Sequence, residues 1–205
     1  MGKKVAEYIN EYFSEMNNLV GEISKDKIEE VIDTLYSAWE KNAQVFIMGN
    51  GGSASTASHF ACDLAKGTIV EDKKRFKVTS LVDNVPLVSS WANDSGFGSI
   101  FVEQLRPWLR EGDILIGISV HGGSGEGEAG PWSQNLVKAM KLAKERGARI
   151  IGFSGFHGGA LEEMSDICIT IPIDSEPLGT PLVESFHVVL EHLICSALKQ
   201  KIASS

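Results

Sequence analysis

Four groups of residues have the types and spacing to do chemistry. His59 and Asp63 stand four apart, which on a helix puts them on one face. Glu184, His187 and His192 lie close together near the C-terminus. Glu184 and His192 are separated by slightly over two helical turns, so they also share a face. Imidazoles and carboxylates at such spacings bind a divalent cation or act as acid and base toward a substrate. Any one of them alone reads as a satisfied structural residue. Four on two helices point to a site.

The other two groups are turns rich in glycine and hydroxyl side chains. Gly49-Asn50-Gly51-Gly52-Ser53-Ala54-Ser55 ends a short apolar run and opens a helical stretch. Glycines let a ligand approach the backbone closely, and a helix start presents unpaired N–H groups with positive dipole character. No Gly-Lys-Ser/Thr follows, so this is not a P-loop. It is not a dinucleotide fingerprint either, because no ribose-binding acid stands at the usual offset. The structural alternative is a tight strand–helix turn capped by Ser53. Ser119-Val120-His121-Gly122-Gly123-Ser124 repeats the same logic. Two such turns on adjacent units converge on one crevice, and a phosphate is expected between Ser53–Ser55 and Ser119–Ser124.

The elements that must position these groups are legible in the hydrophobic pattern. Strands are predicted at 45–48, 77–82, 113–119, 148–154 and 167–171. Helices are predicted after Ser53, over 133–146 and over 181–201. Short apolar strands alternating with helices imply βαβ units and a parallel sheet covered on both faces. Ligands of such sheets sit beyond the carboxyl ends of the strands, where both Gly/Ser turns fall. Ahead of the first strand, Val5, Ile9, Tyr12, Met16 and Leu19, then Ile28, Val31, Ile32, Leu35 and Trp39, recur at spacings of three and four. They predict two helices broken at Gly21, packed on the core or on a partner chain. The expected organisation is residues 1–42 as N-terminal helices and 43–205 as the ligand-binding domain.

Composition excludes several classes. With 205 residues the chain suits a single core. A net charge of −8 argues against a nucleic-acid surface, which needs a basic patch. No run of about 18 apolar residues calls for a membrane span. Cys62, Cys168 and Cys195 are odd in number and form no CxxC, so reduced thiols and a cytoplasmic location are expected.

Taken together, Gly49-Asn-Gly-Gly-Ser53, His59-Phe-Ala-Cys-Asp63, Asn93-Asp94, Gly117-Ile-Ser119 and Val183-Glu-Ser-Phe-His-Val-Val-Leu-Glu-His192 resemble the phosphoheptose isomerases of the sugar-isomerase (SIS) superfamily over nearly the whole chain. The resemblance implies a three-layer α/β fold with a central five-stranded parallel sheet and a homotetramer. It also implies isomerisation of sedoheptulose 7-phosphate to D-glycero-D-manno-heptose 7-phosphate. It assigns His59, Asp63, Glu184 and His192 to zinc, and Asp63 and His192 to proton transfer. Asn50, Gly51, Gly52, Ser53, Ser55, Asn93, Asp94, Ser119, Val120, His121, Ser124, Ser133 and Glu184 become the expected phosphosugar contacts. The chain departs from the family pattern at Asp63, where Glu is usual, and at Glu184, where Gln is usual. In the phosphate turn, Val120 and His121 replace two hydroxyl residues. A glycine-rich insertion then leaves Ser124 and Ser133 as rival candidates for the last serine, Ser133 fitting the downstream pattern better. The alternatives are an isomerase of another sugar phosphate and a non-catalytic phosphosugar-binding regulatory or assembly protein.

Overall fold

Val45-Phe46-Ile47-Met48 and Ile114-Leu115-Ile116 have no polar side, and strands of that kind belong in the middle of a sheet buried on both faces. The computed structural model, which describes residues 4–123, 133–174 and 176–205, places them there. Strands β1 (Gln44–Gly49), β2 (Lys77–Ser80), β3 (Ile114–Ile118), β4 (Arg149–Gly155) and β5 (Ile167–Ile171) form one sheet in the order β2-β1-β3-β4-β5. Every pairing is parallel. Alternate side chains feed two separate cores. Val45, Ile47, Ile114, Ile116, Ile151 and Ile169 point to one, and Phe46, Met48, Leu115, Ile150 and Cys168 to the other.

One face is covered by α1 (Val5–Glu22), α2 (Lys25–Glu40), α3 (Gly52–Cys62) and α8 (Gly179–Ala203). The other is covered by α5 (Val102–Leu105), α6 (Gln134–Arg146) and α7 (Gly159–Met164), with α4 (Val85–Ser95) at its margin. This is the expected three-layer arrangement. The break between the first two helices differs from expectation. Gly21 stays inside α1, and the chain turns at Ile23–Ser24, where the Ser24 side chain accepts from Lys27 N–H. A side-chain cap decides the boundary here, because an isolated glycine only weakens a helix. Helix α1 buries Leu19 alone and leaves Val5, Ile9, Phe13 and Val20 exposed, whereas α2 buries Val31, Leu35, Ala38 and Trp39.

The order of strands sets the site. From β1 the chain crosses to β2 on one side, then returns to β3 on the other. The connections therefore diverge between β1 and β3, which leaves a crevice at their carboxyl ends. Gly49 at the end of β1 is in register with Ile118 at the end of β3, so the two Gly/Ser turns emerge side by side.

Helix α8 is long and apolar enough to cross a bilayer by length and composition, but half of its most apolar window is buried inside this fold. Its buried stripe runs through Leu182, Val183, Phe186, His187, Leu190, Glu191, Ile194, Cys195 and Leu198. His187 is a core residue: its Nε2 lies 3.2 Å from the Ser154 carbonyl oxygen. Burial pushes its pKa down from 6.5 to about 4. A group depressed in the fold contributes stability above its unfolded value, and that contribution is lost as pH falls from 6.5 through 4. The loss is worth about 3 kcal/mol. Urea unfolding at pH 7 and pH 4 should show it, with His187→Gln losing about 3 kcal/mol less across that range. An unchanged acid slope in the variant would place the acid lability elsewhere.

Candidate active site

Helix α3 leaves the end of β1 and changes its winding at Asp63. From Asp63 to Gly67 the backbone forms a π-turn, with Thr68 N–H donating to the Asp63 carbonyl at 3.2 Å. The wider turn directs Asp63 toward α8, and interruptions of this kind recur at functional sites. Two helices thereby bring four groups together. His192 Nε2 lies 3.6 Å from Asp63 Oδ2, and His59 Nε2 lies 3.9 Å from Asp63 Oδ1. The two imidazoles meet edge to face, with ring centres 4.9 Å apart. The fourth group is Glu191, whose Oε1 is 2.8 Å from His59 Nδ1 and 4.0 Å from His192 Nε2. One donor atom from each of the four lies within 4.8 Å of the others.

Their surroundings are unequal. His59 and His192 are about half exposed, while the Glu191 side chain has no exposure at all. Neither Glu191 oxygen accepts a directed hydrogen bond. Burial, with the neighbouring Asp63 charge adding to it, pushes the Glu191 carboxyl up to about 8. The exposed side of His59 opens on a groove lined by Ala54, Ser55, Ser58, Cys62 and Val82. A buried carboxylate beside two imidazoles and a second carboxylate fits a divalent cation by donor chemistry and by spacing.

Glu184 is not in this group. Its carboxylate lies over Gly52, so closely that a Cβ there would overlap it. Sharing a helix face with His192 did not bring it to the same place, since eight residues advance a helix by about 12 Å. Glu191, absent from the expected set, takes the position beside His192. A carboxylate set in the apolar stripe of α8 was the available signal.

The first turn forms without the Ser53 cap that the structural alternative called for. Gly51 holds the N-cap position at φ 58, no side chain caps α3, and Ser53 is buried in the first helical turn instead. A side chain at Gly49 would collide with the backbone of Ser53. The turn is locked from the other side by an amide pair. Asn50 Nδ2 donates to Asn135 Oδ1 at 3.0 Å, and Asn135 Nδ2 returns a bond to Asn50 Oδ1 at 2.7 Å. Asn135 is fully buried and was not among the expected site residues. Its signal was a polar residue opening the apolar face of a predicted helix. Ser133, in the left-handed conformation at the start of α6, sits 3.5 Å from Asn50 Nδ2 and caps nothing. The starts of α3 and α6 therefore meet, with Ser133 between them. Ser124 lies outside the described residues.

The second turn is braced from behind. Gly155 N–H donates to the Val120 carbonyl, and Ala160 and Leu161 N–H donate to those of Gly123 and Gly122. Val120 packs against the core, and the His121 ring stacks on Phe156 with centres 4.4 Å apart. Asn93 and Asp94 are exposed on α4, where Asn93 Nδ2 donates to Asp94 Oδ1 at 2.7 Å. Neither is one of the four clustered groups.

Residues 11–155 match the SIS domain family profile. The chain belongs to the SIS domain family, in its phosphoheptose isomerase branch. A phosphoheptose isomerase from Geotalea daltonii is 32% identical over 89% of this chain and 88% of its own length. The lincomycin biosynthesis protein LmbN of Streptomyces lincolnensis is 43% identical over 92% of this chain and 68% of its own length. Among solved structures, phosphoheptose isomerases from Neisseria gonorrhoeae and Francisella tularensis superpose with TM-scores of 0.80 and 0.84, each at 24% identity. They cover 96% and 97% of this chain, and all of their own chains align. The β1 and β3 turns lie at the carboxyl end of the sheet, and the far end of α3 meets α8 at the cluster of titratable groups.

Proposed function

We propose that the chain is a ketose–aldose isomerase acting on a phosphorylated sugar, sedoheptulose 7-phosphate, which it converts to D-glycero-D-manno-heptose 7-phosphate. The observation that carries the reading is the groove along α3 that joins Ser55, in the turn after β1, to His59 of the His59–Asp63–Glu191–His192 cluster. The starts of α3 and α6, with Ser53, Ser55, Ser119 and Ser133, hold the phosphate. The sugar then extends along α3 toward Asp63 and His192. Those two share the proton shuttle. One removes a proton from C1, next to the C2 carbonyl, the electron pair forms the C1–C2 double bond, and the C2 oxygen takes up a proton to give the 1,2-ene-diol. A proton returned to C2 and loss of the C1 hydroxyl proton complete the aldose, with no net redox change.

The cluster would hold zinc, which when bound supplies a positive charge to the ene-diolate oxygens. The exposed apolar residues Val5, Ile9 and Phe13 of α1 support a homotetramer that covers them. The three free cysteines fit a cytoplasmic location.

A second reading, isomerisation of a different sugar phosphate, is favoured by one observation. Val120 and His121 put an apolar contact and a ring stack where hydroxyls are usual, and the 43% identical relative is a lincomycin biosynthesis protein. Turnover assays with sedoheptulose 7-phosphate and with shorter and longer ketose phosphates, each with and without zinc, test both. Fastest turnover of the seven-carbon substrate is expected. Turnover of another ketose phosphate alone would transfer the assignment to the second reading, and none at all would remove the isomerase assignment.

A further inference from the structure

A glutamate in the buried stripe of a helix is costly as a bare anion. The Glu191 side chain is fully buried, and neither of its oxygens accepts a directed hydrogen bond. A carboxylate so placed costs several kcal/mol unless it is paired, protonated or bound to a metal. Its Oε1 points into the space shared by His59, Asp63 and His192. Ligand atoms about 2.0–2.1 Å from a tetrahedral zinc are about 3.3 Å from one another. With one donor atom taken from each residue, the four lie within 4.8 Å of one another, so a cation would draw them inward to close the shell.

Glu184 and Glu191 are seven residues apart. Seven steps of about 100° return to within about 20° of the starting direction, about 10 Å along the axis. The same face of α8 thus carries two carboxylates at two heights. The upper one, Glu184, lies over Gly52 at the start of α3, and the lower one is beside His192.

We infer that Glu191, and not Glu184, supplies the second carboxylate to the cation, and that Glu184 is left facing the substrate turn. The inference rests on the cation reading of the cluster, and its test does not depend on turnover.

The test is zinc binding to the metal-free full-length protein, by competition with a chromophoric chelator, together with melting in the presence and absence of zinc. Glu191→Gln is expected to weaken zinc binding by about 100-fold or more, since even the outer partners of metal ligands are worth about 10–100-fold. It should also abolish the zinc-dependent rise in Tm. Its metal-free Tm should match or exceed that of the parent, because the amide has the same shape and no buried charge. Glu184→Ala, which removes every donor atom at that position, is expected to bind zinc within about threefold of the parent. Parent affinity in Glu191→Gln, a loss in Glu184→Ala as large as that expected of Glu191→Gln, or a parent protein that binds no zinc would each overturn the inference. If Glu191→Gln does not fold, Glu184→Ala decides alone: unchanged affinity supports the inference and weakened affinity overturns it. Turnover of sedoheptulose 7-phosphate by the parent, measured separately, shows whether the isomerase assignment itself stands.

Discussion

Asp63→Asn is expected to lower kcat for sedoheptulose 7-phosphate by about 10³-fold, within the range that positioned acid–base groups supply. Asn keeps the size of the side chain and its place at the first residue of the π-turn, where the Asp63 carbonyl is bonded to Thr68 N–H. It removes the oxygen that can carry a proton and the charge 3.6 Å from His192 Nε2. The phosphate turns lie at the other end of α3, so KM should change by less than about threefold if the loss is confined to the transition state. Exchange of the C1 proton with solvent should slow in parallel with kcat. Asp63→Glu restores the residue usual in the family and should retain much more activity than Asp63→Asn. More than a tenth of parental kcat in Asp63→Asn would remove Asp63 from the proton shuttle.

The reason Asp63 was legible and Glu191 was not lies in how helices place side chains. His59 and Asp63 are one turn apart, and a spacing of four fixes both direction and height, so the sequence alone put them together. Glu184 and His192 were paired on direction only. Over two turns the axial separation is larger than the reach of either side chain, and burial then decided which carboxylate met His192. Four strands were visible as apolar runs, because a parallel sheet buried on both sides leaves no polar alternation to confuse the pattern, while the edge strand β2, Lys77-Val-Thr-Ser80, is mostly exposed and was marked by Val78 and the Leu81-Val82 that follow it. The short helices α4, α5 and α7 and the π-turn were not predicted. Helices of four to eleven residues show too few periods for their pattern to stand out. The Asn50–Asn135 pair joins residues 85 positions apart, and no local signal announces a contact of that range.

Gly122→Ala is expected to destabilise the protein by about 4 kcal/mol and to raise KM for the phosphosugar more than it lowers kcat. The turn after β3 and the turn before α7 are both built on glycines and press directly on each other. Gly122 has φ +72, and a Cβ there would overlap the carbonyl of Gly158. Gly159 has φ +54, and a Cβ there would overlap the carbonyls of Gly123 and His121. Backbone bonds seal the contact, from Ala160 and Leu161 N–H to the two loop carbonyls at 2.9 Å each. An alanine at positive φ costs about 1–2 kcal/mol by itself. Forcing the turns apart adds about 1–3 kcal/mol, and each weakened bond about 1 kcal/mol. The displaced segment begins at Ser119, so substrate binding should suffer with stability. Gly112 provides the control. It has φ +81 but open space where a Cβ would go, so Gly112→Ala carries the backbone strain without the overlap. Its expected cost is about 1–2 kcal/mol, with KM unchanged. Equal destabilisation by the two substitutions, with KM unaffected in both, would mean that the two glycine turns do not hold the phosphate loop in place.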